Sequence, residues 1–250
     1  MESMAITSHL LHSQIFPNKV RIRPCWLLVK SGPNKVRKVE EGPMPNSSMH
    51  RRRVTREQIL DAAWGLAREQ GLTGWTMREL ADAVGLRAPS LYVHFASKYE
   101  IYDAMFADGY RTLLAQAEAI ELPEDPRAAA RTAAQTFVQF AVADEARLNL
   151  LFLRVIPGFE PTAASYTLAE RVYAQGAEIL ARAGLTEPAD IDLWTAVLSG
   201  LATQQVSNDP GGDRWINLVD RAVDLLLDDR RVSPVAEALE AAGNREAPGT

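Results

Sequence analysis

Residues 76–98 read TMRELADAVGLRAPSLYVHFASK, and this stretch decides how the chain folds. Thr76 is followed three residues later by Glu79, a capping-box pairing in which each side chain satisfies a backbone amide at a helix N-terminus. Behind this start, apolar residues recur at helical spacing as far as Gly85, and glycine is typical of helix ends. The sequence therefore predicts one short helix between Thr76 and Gly85.

A second short helix follows at once. Pro89 suits its first turn, because the amide that proline lacks has no intrahelical partner there. Leu91 and Phe95 lie four residues apart and face inward, so that the remaining side chains of this helix point outward or to its flanks. Two short helices joined by a tight glycine turn, the second with a polar and aromatic outer face, are typical of a helix-turn-helix.

Two further helix starts flank this pair. Thr55 with Gln58 and Ser97 with Glu100 repeat the capping-box spacing. After Thr55, apolar residues fall on one helical face until Gly71, which supplies a C-terminal stop. The sequence therefore predicts a third helix before the helix-turn-helix and a long helix, residues 98–119, after it.

Residues 55–101 resemble the N-terminal domain of TetR/AcrR-family transcriptional regulators. The resemblance rests on ILDAA at 59–63, Gly71, TMRELA at 76–81, VGL at 84–86 and LYVHFASK at 91–98, whose pattern LYxHFxSK is its most specific part. It implies an all-α chain with an N-terminal three-helix helix-turn-helix DNA-binding domain and a C-terminal helical ligand-binding and dimerisation domain. By composition and helical pattern we expect these domains at residues 50–97 and 98–230.

The outer face of the short helix at residues 88–94 suits contacts with DNA. Side chains close to the major groove can reach base edges, and the candidates are Arg87, Ala88, Pro89, Ser90 and Val93. Arg87 is the best hydrogen-bond donor among them, whereas Val93 departs from the larger or polar residues often found there in the family. Tyr92, His94 and Lys98 suit phosphate contacts and match family phosphate-contact positions by resemblance.

Thr55 and Thr76 are predicted first as helix caps, and exposed helix N-termini also attract phosphate. Tyr92 has the alternative of packing as a core aromatic. No second His or Cys lies near His94 in the sequence, which counts against a metal-ligand role for it.

The chain beyond Lys98 differs in composition from the part before it. From Tyr99 to Thr250 there is no His, Cys or Lys, so imidazole bases, thiol nucleophiles, Schiff-base lysines and soft metal ligands are missing. Within residues 101–250, acidic residues outnumber basic ones, 23 against 12. No glycine-rich phosphate loop, GxSxG or HExxH motif occurs in the sequence. We therefore predict no enzyme, no cofactor and no metal site.

Helical patterning continues through this acidic part. Loops marked by proline and glycine separate predicted helices at residues 98–119, 126–143, 145–155, 161–183, 188–207 and 213–229. A helical bundle that binds a ligand builds its pocket from facing apolar side chains and a few polar groups. Core packing is the alternative for each aromatic residue. The predicted pocket lining is Phe137, Phe152, Phe159, Tyr166, Tyr173 and Trp194, with Gln135, Asn149 or Thr195 as polar members.

The last two helices are predicted to form a dimer interface. Near-palindromic operators require a two-fold dimer, to which two helices from each subunit would contribute. The candidate residues are Leu193, Val197, Gly200, Leu201 and Gln204 on the first of these helices, and Trp215, Leu218, Ala222 and Leu225 on the second. Simple core packing explains the same residues almost as well.

Both ends of the chain lack sustained periodicity. Residues 1–49 hold four of the five lysines and many Pro, Ser and Asn, so we expect a disordered extension. Translation starting at Met44 or Met49 is one interpretation of this change in composition, and a basic DNA-binding arm is another. Residues 231–250 read as a tail. With Cys25 as the only cysteine and no apolar run long enough to span a bilayer, we expect a cytoplasmic protein without membrane contact.

These observations predict a ligand-responsive transcriptional regulator. It would bind a palindromic site in double-stranded DNA as a homodimer, repress transcription and be released by a small apolar effector. An activator or dual regulator of the same fold is the first alternative. The second is a helical enzyme or scaffold without specific DNA binding, against which the LYxHFxSK pattern and the missing catalytic residue types count.

Overall fold

The computed structural model describes residues 54–229, and the predictions for residues 1–49 and for the tail at 231–250 lie outside the described residues. The described part contains no strand, which confirms the all-α prediction for these residues. Its helices are α1 (Arg56–Gln70), α2 (Met77–Ala83), α3 (Ala88–His94), α4 (Lys98–Glu118), α5 (Pro126–Val142), α6 (Glu145–Phe152), α7 (Ala163–Arg182), α8 (Pro188–Asn208) and α9 (Val219–Asp229), with a 3-10 turn at Ile216–Leu218 before α9.

The helices that begin at a predicted capping box start where the sequence predicts. Two helices bounded only by periodicity differ from their predicted residue ranges. Thr55 and Thr76 each form a complete capping box, which confirms both predictions. The helix predicted at 145–155 ends at Phe152, and the one predicted at 213–229 begins with a 3-10 turn. In the second case the amides of Trp215 and Ile216 donate to the side-chain carbonyl of Gln205, at 2.8 and 3.3 Å, instead of joining a regular helix.

The helix-turn-helix helices share a core with part of the acidic region. Ile59, Leu80, Leu91 and Phe95 are almost completely buried in this core, and they anchor α1, α2, α3 and the segment after α3. Residues of α6 and of the loop that follows it complete the same cluster, namely Ala146, Leu150 and Ile156. The packing of α1 to α3 therefore continues into residues that lie far beyond position 97 in the sequence.

Two polar contacts tie the C-terminal half of α1 to the rest of the molecule. The Trp64 indole N–H donates to the carboxylate of Asp108 on α4, at 2.9 Å. Arg68 pairs with Asp144, the buried N-cap of α6, at 2.8 Å between Nη2 and Oδ2. A charge-assisted contact of this kind restricts the orientation of both groups. Helix α1 is thus attached to α4 and to α6.

The second core lies among α5, α7, α8 and α9, with Val138, Leu180, Leu198 and Val223 among its buried members. Each of the last two helices buries one side in this core, and α9 shows the amphipathic pattern of a surface helix. Ion pairs from α5 to Asp224 on α9 flank this core, from Arg127 at 2.9 Å and from Arg131 at 2.6 Å. No helix within residues 54–229 is long and apolar enough to cross a membrane.

Candidate nucleic-acid interface and effector cavity

Helix α3 presents the outer face that the sequence predicts. Leu91 is fully buried, whereas Tyr92 and Val93 expose 51% and 84% of their surface. The other predicted members of this face are also accessible: Arg87, Pro89 and Ser90 are exposed, and Ala88 and His94 are half-buried. The alternative of a packed Tyr92 therefore does not hold. The exposed side chains of α3 can therefore contact a groove of DNA while Leu91 stays packed in the core.

A turn and an arginine fix the position of α3. Gly85 adopts φ +70°, a left-handed conformation that glycine tolerates best, and it lets the Leu86 amide donate to the Ala81 carbonyl at 2.8 Å. At the other end, Arg56 of α1 donates to the His94 carbonyl and lies 3.9 Å from the centre of the Phe95 ring. Helix α3 is therefore held at both ends.

The third capping box is only half formed. Ser97 Oγ accepts from the Glu100 amide at 3.2 Å, as predicted. The Glu100 carboxylate, however, accepts from the Ala96 amide at 2.7 Å and pairs with Arg56 at 3.2 Å, so the reciprocal contact with the Ser97 amide is replaced. A reachable cation draws this carboxylate toward α1. Glu100 thereby joins α1 to the start of α4.

Lys98 is turned toward the protein. Its ammonium donates to the carbonyl of Trp75, to that of Thr73 at 3.3 Å, and lies 4.0 Å from the centre of the Trp75 ring. Burial lowers the pKa of this ammonium, and the nearby Glu79 carboxylate acts in the opposite direction. The structure thus gives Lys98 a role in the turn before α2, and its phosphate contact stays a prediction.

The two capping threonines are exposed at helix N-termini. Thr55 Oγ1 accepts from the Gln58 amide at 3.3 Å, and Thr76 Oγ1 accepts from the Glu79 amide at 3.2 Å. Hydrogen bonds from the Thr76 side chain and backbone lower the pKa of the Glu79 carboxyl. Capping is therefore established for both threonines, while phosphate contact by either remains a prediction.

A largely apolar cavity of about 230 Å³ lies among α4, α5, α7 and α8. Most of its lining is aliphatic or aromatic, and it opens to solvent on one side. The lining residues are Leu113, Ala117, Ile120, Leu122, Ala133, Thr136, Phe137, Val172, Gln175, Gly176, Glu178, Ile179 and Trp194. Such a cavity can hold a small apolar molecule.

Two of the six predicted lining residues, Phe137 and Trp194, line this cavity. Phe152 lies behind Phe137, with ring centroids 5.0 Å apart, and Tyr173 packs against the second core. Tyr166 is buried outside the lining, and Phe159 packs on Tyr102 near the helix-turn-helix. The polar candidates lie elsewhere too: Gln135 donates to Asp220 at 3.1 Å, Asn149 lines a different cavity, and Thr195 is exposed.

Sequence reasoning missed the small residues of the cavity. Ala117, Ala133 and Gly176 leave the space that a larger side chain would fill, and Val172, Gly176 and Ile179 recur at helical spacing on α7. That spacing was a usable signal. The predicted lining consisted of aromatic residues, and four of these six side chains fill the interior instead.

An aromatic chain connects the cavity to the helix-turn-helix. Its neighbouring ring centroids lie between 4.8 and 6.5 Å apart. The chain runs through Phe137, Phe152, Tyr110, Phe106, Phe159, Tyr102 and Trp75. The loop between α6 and α7 carries Phe159, and the Tyr99 hydroxyl donates to the Pro157 carbonyl in the same loop at 3.0 Å. The cavity and the helix-turn-helix are thus connected through this loop as well as along α4.

The predicted dimer residues remain accessible. None of the nine is fully buried, and Leu193, Leu218 and Leu225 expose 50%, 37% and 63% of their surface. A Cβ built on the predicted interface residue Gly200 meets no atom within 4 Å. The opposite faces of α8 and α9 are buried in the second core. The alternative of simple core packing therefore does not account for the exposed leucines.

Comparison with known proteins matches the helix-turn-helix to one family. Residues 59–105 match the family described as "Bacterial regulatory proteins, tetR family". The tetracycline repressor protein class D of Escherichia coli is 42% identical over 53 residues, which are 21% of this chain and 24% of the repressor. The transcriptional activator FasR of Mycolicibacterium smegmatis is 33% identical over 98 residues, 39% of this chain and 45% of FasR.

A solved structure extends the similarity beyond the helix-turn-helix. The TetR-family regulator PfmR of Thermus thermophilus superposes with a TM-score of 0.54 and 25% identity, over 68% of this chain and 97% of PfmR. By contrast, the chain spans about a quarter of the length of the tetracycline repressor and less than half of FasR. The sequence similarity to these relatives thus covers less than half of their length, whereas the structural similarity to PfmR covers nearly all of that protein.

Proposed function

We propose, from the premise that its helix-turn-helix domain belongs to the TetR family, that this chain is a DNA-binding regulator of transcription. The observation that carries the proposal is the outer face of α3, where Tyr92 and Val93 are exposed on either side of the buried Leu91. Exposed apolar and aromatic side chains on so short a helix have no partner in the described part of the chain. A major groove offers thymine methyl groups, phosphates and base edges to such a face.

The active form would be a homodimer. Two copies of α3 can read both halves of a palindromic site only if the subunits are related by a two-fold axis. The exposed leucines of α8 and α9 supply apolar area for that contact, and Gly200 permits close approach of a partner helix. The dimer brings α3 and its symmetry mate onto successive major grooves.

The sign of regulation that we propose is repression, relieved when a small apolar effector enters the cavity. The similarity to the tetracycline repressor supports repression, whereas the similarity to FasR, a transcriptional activator, favours the alternative. Because the matched relatives are named as regulators, we propose a regulatory rather than an enzymatic role. A regulator of this kind would act in the cytoplasm.

Selection of bound DNA from a random pool by the full chain tests the proposal. We expect enrichment of an inverted repeat with half-site centres about 10 base pairs apart, or a multiple of that spacing. Arg111→Ala, which removes an exposed arginine of α4 away from α3, should enrich the same sequence as the full chain. Failure of the full chain to enrich any sequence over the starting pool would contradict the proposal.

A further inference from the structure

The cavity has a polar side formed by α7. Gln175 and Glu178 lie one helical turn apart on this helix, and Glu178 is the one ionisable side chain among the thirteen lining residues. Glu178 is exposed, which places its carboxylate at the mouth, whereas Trp194 is 7% exposed and lies inside. The cavity therefore has an apolar interior and an anionic rim.

The polar groups of the rim are unused by the protein. Within residues 54–229, neither the Gln175 amide nor the Glu178 carboxylate forms a hydrogen bond or ion pair with another side chain or with the backbone. The hydroxyl of Thr136, in contrast, donates to the Thr132 carbonyl at 2.8 Å. Gln175 and Glu178 can thus meet a ligand without first giving up a protein partner.

Charge and size restrict the ligand. A carboxylate accepts hydrogen bonds from cations and repels other anions, so Glu178 favours an ammonium group and disfavours a carboxylate or phosphate at the mouth. An engineered cavity of about 150 Å³ holds benzene. A cavity of about 230 Å³ accordingly suits an alkyl chain of roughly eight carbons or a small bicyclic body.

We propose that the cavity binds a small apolar amine, with its hydrocarbon body against Phe137 and Trp194 and its ammonium group beside Glu178. The proposal rests on the proposed function only in treating this ligand as the effector. The amine hydrogen-bonds to Glu178 and Gln175 at the mouth, where the charge keeps contact with water. The apolar body supplies most of the affinity, and the head group decides which molecules are accepted.

Isothermal titration calorimetry with the full chain at pH 7.5 tests this class with three probes that differ only in the head group: octylamine, 1-octanol and octanoate. We expect octylamine to bind at least about tenfold more tightly than octanoate, with octanol between them, because one contact of about 1.4 kcal/mol corresponds to a tenfold change. Equal or tighter binding of octanoate would overturn the proposal, and so would the absence of binding by all three probes.

Two variants test whether the preference for octylamine over octanoate arises in this cavity. Glu178→Gln should reduce the preference for octylamine over octanoate to less than about threefold, whereas Glu170→Gln, a charge removal on the same helix outside the lining, should leave it unchanged. Ala117→Phe fills the cavity and should abolish binding of all three probes. A preference that survives Glu178→Gln, or binding that survives Ala117→Phe, would place the amine elsewhere and contradict the proposal.

The same titrations repeated with the selected operator separate this inference from the proposed function. Binding of octylamine through Glu178 supports the ligand class even if the operator affinity does not change. In that case only the proposed release of the operator by the effector is contradicted. Specific operator binding by a chain that prefers octanoate would leave the regulator standing and overturn the ligand class. The two proposals therefore fail on different measurements.

Discussion

Arg87 and Tyr92 lie at the two ends of one short exposed face, and they should affect DNA binding in different ways. Arg87 lies at the N-terminus of α3 as its N-cap, with its side chain exposed. We expect Arg87→Ala to cost about 1–3 kcal/mol and to relax preference at a single base pair of each half-site. Tyr92→Phe should weaken binding to all sequences alike. Binding to a panel of single-base operator variants measures both effects. An unchanged base preference at every position would show that Arg87 does not read a base.

Lys98 should matter to the stability of the fold. Its ammonium donates to two carbonyls of the turn before α2 and lies over the Trp75 ring, so removing it leaves these acceptors without their charged donor. We expect Lys98→Ala to lower the free energy of unfolding by roughly 1–3 kcal/mol, measured by urea denaturation. Arg111→Ala is the control. If the salt dependence of operator affinity also falls by about one unit, Lys98 contacts phosphate as well; an unchanged free energy of unfolding would contradict the structural role.

At the scale of elements, the α5–α9 contact should be sensitive to acid. A hydrogen bond from Arg131, and a second from Arg127, lower the pKa of the Asp224 carboxyl. A depressed pKa means that the stabilisation is present above the unfolded value of about 3.9 and is lost as the pH falls through the lower folded value. We therefore expect Asp224→Asn to reduce the melting temperature by a few degrees at pH 7 and to have progressively less effect as the pH is lowered below about 3.9. Asp229→Asn, on the same helix, is the control; an equal loss at every pH would contradict this assignment.

The loop between α6 and α7 should carry part of the coupling between cavity and helix-turn-helix. Phe159 packs on Tyr102 and stacks on Tyr99, both at the start of α4. If the effector prefers the form that does not bind DNA, any contact that differs between the two forms contributes to the coupling. We expect Phe159→Ala to reduce the effector-induced change in operator affinity severalfold, measured by titration with and without effector. Val155→Ala, an exposed residue of the same loop, should retain the full change, and a full change in Phe159→Ala would exclude this route.

The whole molecule should depend on the outer faces of α8 and α9 for assembly. Leu193 and Leu225 are half or more exposed, so a charged replacement costs the single subunit little. We expect Leu193→Arg and Leu225→Arg to give a monomer that keeps the helical content of the parent and binds the operator at least about tenfold more weakly. Sedimentation velocity measures the mass, and Val155→Arg is a control at an exposed apolar site elsewhere. A dimer of unchanged stability in both leucine variants would move the interface to another face.

The sequence predicted local structure better than it predicted the cavity. Helix starts at Thr55, Thr76 and Ser97 depend on residues three positions apart, so a single chain contains the information for them. The inward and outward sides of α3 follow from the spacing of Leu91 and Phe95 in the same way. Much of the cavity lining, by contrast, was missed. Its volume arises where Ala117, Ala133 and Gly176 of different helices leave space together, and their meeting depends on how those helices cross.

Contacts between distant parts of the chain also explain why Lys98 and Glu100 contact other groups than the sequence predicted. Lys98 follows a helix cap in sequence and suits a phosphate, yet the carbonyls that it contacts belong to a turn more than twenty positions earlier. Glu100 likewise leaves its predicted partner because Arg56, from another helix, lies within reach. Contacts between distant parts of the chain override local pairings in both cases.

Trp194 gives the cavity an optical property. Its indole belongs to the lining and is 7% exposed, so a ligand in the cavity contacts the ring and changes its surroundings. Of the other described tryptophans, Trp64 and Trp75 belong to the helix-turn-helix core and Trp215 to the turn before α9. A change in Trp194 fluorescence therefore reports occupancy of the site in the unlabelled protein, whereas Trp64 and Trp75 report on the helix-turn-helix core.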